Sequence, residues 1–132
     1  MSFVDVALLE EVTARVNAKL KYKTDDVNHL QRAVESRQLG TGDCEDYAVL
    51  KAQELKDAGV DPTLMTLALC RTRKSKQLHA VLLVASRKRV GWLSKKWADC
   101  TRVLDNMNDY AYRLENTGIT IEKQFPVAGW LT

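Results

Sequence analysis

Three residues of this 132-residue chain have the types and the order of a nucleophile, a base and an orienting acid: Cys44 in "GDCEDYA", His79 in "LHAVLLV" and Asp105 in "RVLDN". A cysteine in the first turn of a helix sits at the positive end of the backbone dipole, which favours the thiolate, its nucleophilic form. Position alone leaves the inert reading open, because cysteine is also a common small core residue. A nucleophilic thiol needs a base, and the base needs a group that fixes its ring. Of the two histidines, His29 falls in a weakly patterned stretch and reads as a surface or half-buried residue. His79 opens an apolar run, the kind of rigid strand from which a ring can be aimed at a helix end. Asp105 reads either as the acid that orients the imidazole or, with Asn106 behind it, as a turn residue.

The acids around the thiol raise a separate question. Asp43, Glu45 and Asp46 suit the helix dipole, and Asp43 with Asp46 reads as a capping-box variant. For a thiolate they have the wrong sign, since nearby like charges raise a cysteine pKa. Either they face water on other sides of the helix, or a hard cation binds them.

The elements that must carry these residues follow from period and punctuation. Val4, Leu8 or Leu9, Val12, Val16 and Leu20 keep a helical period over 3–20, with Ser2 and Asp5 as its capping box. A short helix is expected around 27–36, a turn at Gly40 and Gly42, and a second long helix from Asp43 to a stop at Gly59, just before Pro62. The period then changes to that of strands: "TLMTLALC" (63–70), "LHAVLLVAS" (78–86), "VGWL", "TRVLD" and "GITIEK" (118–123). Helices first and strands after predict an α+β fold with helices on one face of a small antiparallel sheet, and a nucleophile at a helix N-terminus.

Composition sets the limits. With 45% hydrophobic and 28% charged residues, two prolines and six glycines, the chain reads as one globular domain over 1–132. The net charge of +3 is local, in "RTRKSK" (71–76), "RKR" (87–89) and Lys95–Lys96, which read as solvated loops or as a patch for phosphate or an acidic partner. Three cysteines without a C-x-x-C pair argue against a disulfide framework or a structural zinc. "MSFVDVALLEEV" lacks the basic start and cleavage site of a signal peptide, and no apolar run reaches a membrane span. The expectation is therefore a cytoplasmic protein with no membrane span.

"GTGDCEDYAVLKAQELKDAGVDPTLMTLALC", then "LHAVLLV" and "RVLDNM", resembles the bacterial transglutaminase-like cysteine peptidase family, over residues 40 to 107. "VNAKLKY" (16–22) also fits the first helix of such proteins. The resemblance implies a papain-like or transglutaminase-like fold, with Cys44 as nucleophile, His79 as general base and acid, and Asp105 orienting the imidazole. It implies a protein or peptide substrate and a thioester intermediate, with Gln38 as a candidate oxyanion residue. It also implies calcium on the acids beside the cysteine, which map onto Asp43 and Glu45. Members of the resembled family usually carry an export signal and act in the periplasm, often releasing large surface adhesins by cutting them. This chain departs from the pattern in its basic segment "RKRVGWLSKKWADCTR", and its first residues do not read as a leader, so the expectation keeps periplasmic and phage-associated settings open beside the cytoplasmic one.

Two other readings stand. A catalytically idle module would bind nucleic acid or a protein through "RTRKSK" and the Trp92/Trp97 segment, although those tryptophans read first as core or lid residues. An acyltransferase would keep the triad and pass the acyl group to an amine instead of water.

Overall fold

The computed structural model describes residues 5–23, 36, 38–72, 78–85 and 101–132. Helix α1 spans Val6–Lys19 and buries Leu9, Val12 and Val16, so the predicted stripe faces the core. Its cap differs from the expected one. Asp5 is itself the N-cap, with an extended backbone that lets its carboxylate accept the Ala7 N–H at 3.0 Å, while Ser2 lies outside the described residues. After Leu20 the chain forms β1 (Lys21–Tyr22), paired in parallel with β2 (Thr41–Gly42). The short helix expected at 27–36 lies outside the described residues, except for Ser36.

Helix α2 spans Cys44–Asp57 and opens with the predicted reciprocal cap. The Asp43 carboxylate accepts the Asp46 N–H at 3.2 Å, and the Asp46 carboxylate accepts the Asp43 N–H at 3.0 Å. It ends at Gly59, whose φ of 104° is open to glycine at low cost; the N–H groups of Gly59 and Val60 close onto the carbonyls of Lys56 and Leu55, each at 2.9 Å. The "TL" of "TLMTLALC" belongs to a 3-10 turn that starts at Pro62.

Strands β3 (Met65–Arg71), β4 (His79–Ala85), β5 (Thr101–Leu104), β6 (Tyr112–Arg113) and β7 (Thr120–Pro126) form one antiparallel sheet in the order β6-β5-β4-β3-β7. Strands β4 and β5 are neighbours, with Leu82 opposite Leu104, so the strand that begins with histidine lies beside the strand that ends before Asp105. "VGWL" lies outside the described residues. The two-residue strands β1, β2 and β6 are too short to show a period in the sequence.

The side chains of the sheet alternate between two cores. Met65, Leu67, Leu82, Val84 and Leu104 pack with Leu9, Val12, Val16, Leu50 and Leu55 of the helices. Ala68, Cys70, Val81, Leu83 and Val103 form a second cluster on the opposite face, against Leu114, Ile119 and Ile121. Each fully buried Leu or Val contributes roughly 1.5–3 kcal/mol, which fixes α2 on β4 and with it the distance between the helix start and the strand start.

Candidate active site

The start of α2 is built to hold Cys44 close to the sheet. A Cβ on Gly42 would lie 2.7 Å from the Asp46 Cβ, so glycine is what lets β2 approach the capping box. Asp43 occupies two of the first N–H groups of the helix: its carboxylate takes that of Asp46, and its carbonyl takes that of Tyr47 at 3.1 Å. The N–H groups of Cys44 and Glu45 have no acceptor among the described residues, as the first groups of a helix do unless a ligand supplies one. The half-buried Cys44 Sγ accepts the Ala80 N–H from β4 at 3.4 Å.

Next to Ala80, the His79 ring bridges two groups. Its Nε2 lies 2.6 Å from Asp105 Oδ1, and the Cys44 side chain lies close enough to act on the ring. The hydrogen bond to Asp105 and then the interaction with Cys44 push the imidazole up to about 10, against the opposing effect of burial. Burial pushes the Asp105 carboxyl up, but the His79 hydrogen bond and charge, the Met107 N–H and the Lys51 charge outweigh it and hold the carboxyl below its ordinary value. The three residues picked out by order and spacing thus form one chain of contacts: thiol, imidazole, carboxylate.

The other acids divide. Asp46 is buried and committed to the cap. Glu45 is pushed above its ordinary value by burial and by the Asp43 charge, so these two carboxylates share one region beside the thiol. Hard oxygen donors of this kind suit calcium, which needs several further oxygens from backbone or water. Among the described residues, no group of three or more His, Cys, Asp or Glu side chains is placed to hold a metal.

Gln38 is exposed, on the segment that leads into β2. His29, Cys100, Trp92, Trp97, "RKR" and Lys95–Lys96 lie outside the described residues, as does "RTRKSK" beyond Arg71 and Thr72. No helix among the described residues is long and apolar enough to cross a membrane. Two polar residues beside the site were not singled out in the sequence: Asn17 and Lys51. Lys51 did carry a signal, since it follows Cys44 by two helical turns on the stripe that Tyr47 and Leu55 share. Asn17 carried none, because its partners lie on a distant loop.

A helix-borne cysteine facing a strand-borne histidine and an acid, on an antiparallel sheet, defines the papain-like and transglutaminase-like class of α+β fold. The family model described as "bacterial transglutaminase-like cysteine proteinase BTLCP" matches residues 4–124, and the chain belongs to this family. No curated protein matches it. Among solved structures the fold is similar to that of Legionella pneumophila LapG, at 22% identity and a TM-score of 0.77 over 96% of this chain and 68% of that one. The EGTA-treated form of LapG gives 0.75 over 90% of this chain and 62% of that one. The calcium-bound form gives 0.74 over 90% and 64%, also at 22% identity. The chain thus spans 62–68% of the length of these structures.

Proposed function

We propose that this chain is a cysteine peptidase that hydrolyses amide bonds of a protein substrate through a thioester, with Cys44, His79 and Asp105 as its triad. The observation that carries the reading is the His79 ring held between Asp105 at 2.6 Å and the Cys44 side chain. An imidazolium is the partner a thiolate needs, and Asp105 on Nε2 leaves the other ring nitrogen for the thiol.

The Cys44 thiolate attacks the peptide carbonyl carbon. The oxyanion that forms meets the N–H groups of Cys44 and Glu45, which need an acceptor. The His79 imidazolium gives its proton to the departing amine, and the carbonyl reforms as a thioester. His79, now neutral, takes a proton from water as the water attacks. Collapse of the second tetrahedral intermediate returns the thiolate, and the imidazolium is restored. Asp105 holds the ring in one orientation throughout.

Asp43 and Glu45 would hold a calcium ion, which supplies positive charge to offset the two carboxylates beside the thiolate. The calcium-bound LapG structure and family membership support this reading. Isothermal titration of the chelated protein with calcium is expected to give heat and a higher melting temperature, and neither response would remain in Glu45→Gln. Silence in the unsubstituted protein would overturn it.

The test of the triad is limiting iodoacetamide near pH 6.5, with mass mapping of all three cysteines. Cys44 is expected to react first, and His79→Ala to bring it down to the rate of an ordinary thiol. Equal labelling of Cys44 and Cys70 would sink the proposal.

A further inference from the structure

Asp105 begins a five-residue turn whose position is set from outside. Locally the turn makes its own bonds: Asp105 Oδ1 accepts the Met107 N–H at 3.1 Å, and Asn108 Oδ1 accepts the Tyr110 N–H at 2.9 Å. These give the turn a shape but do not fix its height above the helices. The tie comes from α1, chiefly from one carboxamide that bonds within the turn, with the Glu10 carboxylate accepting the Ala111 N–H at 3.0 Å just beyond it. Asn17 Nδ2 donates to the Asp105 carbonyl at 3.1 Å, to the Asn108 carbonyl at 2.9 Å and to Asp109 Oδ1 at 3.0 Å. Since all three partners are acceptors, the carboxamide has a single workable orientation.

That orientation has a cost. It leaves Asn17 Oδ1 buried with no hydrogen-bond partner among the described residues, a burden of about 1–3 kcal/mol for a buried acceptor. A buried carboxamide with one unpaired oxygen departs from the usual pairing of buried polar groups, and such departures are expected at sites that serve a reaction. From α2 a second group reaches the same turn. Lys51 is 1% exposed and makes no hydrogen bond or ion pair among the described residues. Its ammonium lies 5.9 Å from the centre of the Tyr47 ring and acts by charge on Asp105 and Asp109. Two helices therefore converge on the few residues that carry the acid of the triad.

We propose that Asn17 is a positioning residue for the peptidase reaction: by clamping the Asp105–Asp109 turn to α1 it sets the place from which Asp105 orients His79. The inference rests on the triad reading given above. Asn17 touches neither substrate nor thiol, so its influence passes through Asp105.

The experiment is a double-mutant cycle read by the rate of Cys44 alkylation with iodoacetamide at pH 6.5, in protein shown to be folded by near-ultraviolet circular dichroism. Asn17→Ala is expected to slow Cys44 by about tenfold, less than the roughly 100-fold that a fully misplaced group costs. In an Asp105→Ala background the same substitution should change the rate less than twofold, because the group it positions is gone. If Asn17→Ala labels like the unsubstituted protein, or slows Cys44 equally in both backgrounds, the positioning role is overturned. If Asp105→Ala itself labels at full speed, the triad reading falls and this inference with it; slow Asp105→Ala beside fast Asn17→Ala overturns this inference alone. Should Asn17→Ala fail to fold, Asn17→Asp with Asp109→Asn reads the same question. The exchange restores one donor–acceptor pair with its direction reversed, and it should label faster than Asn17→Asp alone. Failure of that rescue overturns the role.

Discussion

Two thiols flank the same histidine, and they differ in everything that makes a cysteine reactive. Cys44 meets the His79 ring from the start of α2, while Cys70 sits opposite His79 in the β3–β4 register and donates its S–H to the His79 carbonyl at 3.3 Å. Cys70 is fully buried among Ala68, Val81, Leu83 and Val103. Burial, with the negative charges of Asp105 and Cys44, pushes its thiol up to about 11. Nearness to a histidine therefore does not make a nucleophile. What matters is whether the thiol faces the ring or the backbone, and whether it lies at a helix start or in an apolar layer.

The sharpest way to break this contrast is to remove each thiol in turn. Cys44→Ala is expected to lower hydrolysis of heat-unfolded casein by at least about a thousandfold, as loss of a nucleophile does. Cys70→Ala should keep casein hydrolysis within about twofold, because the substitution leaves Cys44 and His79, the proposed nucleophile and base, untouched. Equal losses would mean that both thiols serve the reaction.

The ring between the thiols makes the next prediction. Because His79 is raised to about 10 in the folded chain, the pairing with Asp105 contributes its full stability below the unfolded value near 6.5, and that stability is lost as pH rises toward 10. The melting temperature should fall most clearly between about pH 6.5 and 8, below the range where Lys51 opposes the fall, and Asp105→Asn should flatten it. A profile that stays flat in the unsubstituted protein would remove the imidazolium from the site.

Lys51 works in the opposite direction. Burial lowers its ammonium to about 8, against the attraction of Asp105 and Asp109. The unfolded chain then binds the extra proton between about 8 and the ordinary lysine range near 10.4, so this group makes stability rise with pH there. Lys51→Met is expected to raise stability by roughly 3 kcal/mol below pH 8, a gain that vanishes above about 10.5. It should also leave the falling slope of His79 as the dominant pH response. Denaturant unfolding at pH 7 and pH 10.5 checks both statements.

The residues on either side of this contrast were not equally legible. Cys44, His79 and Asp105 could be read because each sits at an element boundary that the sequence marks: a capped helix start, the first residue of an apolar strand, and the end of another strand before a turn. The pairing of β4 with β5 did not follow from a short connection, since residues 86–100 separate them; it rested on the tendency of strands near in sequence to be neighbours in the sheet. Asn17 could not be read as part of the site, because a polar residue on a helix looks solvated until the tertiary fold shows what covers it, whereas Lys51 was legible only through its place on the stripe of Cys44, Tyr47 and Leu55. The second apolar face of the sheet was hidden for a related reason. Cys70 and Val81 sit in runs where nearly every residue is apolar, and such runs do not say which side of the sheet each residue faces.

Cys70 gives the smallest effect, and it tests whether that second face is structural. Cys70→Ala removes one sulfur from a packed layer and the weak S–H bond to the His79 carbonyl. The cost should be about 1 kcal/mol, near the low end for deletions in a core. Cys70→Ser keeps a donor for the same carbonyl but places a hydroxyl in the apolar cluster, so it separates packing from hydrogen bonding. If the contact with His79 mattered to the ring, serine would preserve Cys44 alkylation and alanine would slow it. If Cys70 is only packing, both variants should label Cys44 at the unsubstituted rate, and serine should melt no higher than alanine. The second result is expected, because the carbonyl of His79 already belongs to the β3–β4 ladder and the ring is fixed from its other side by Asp105.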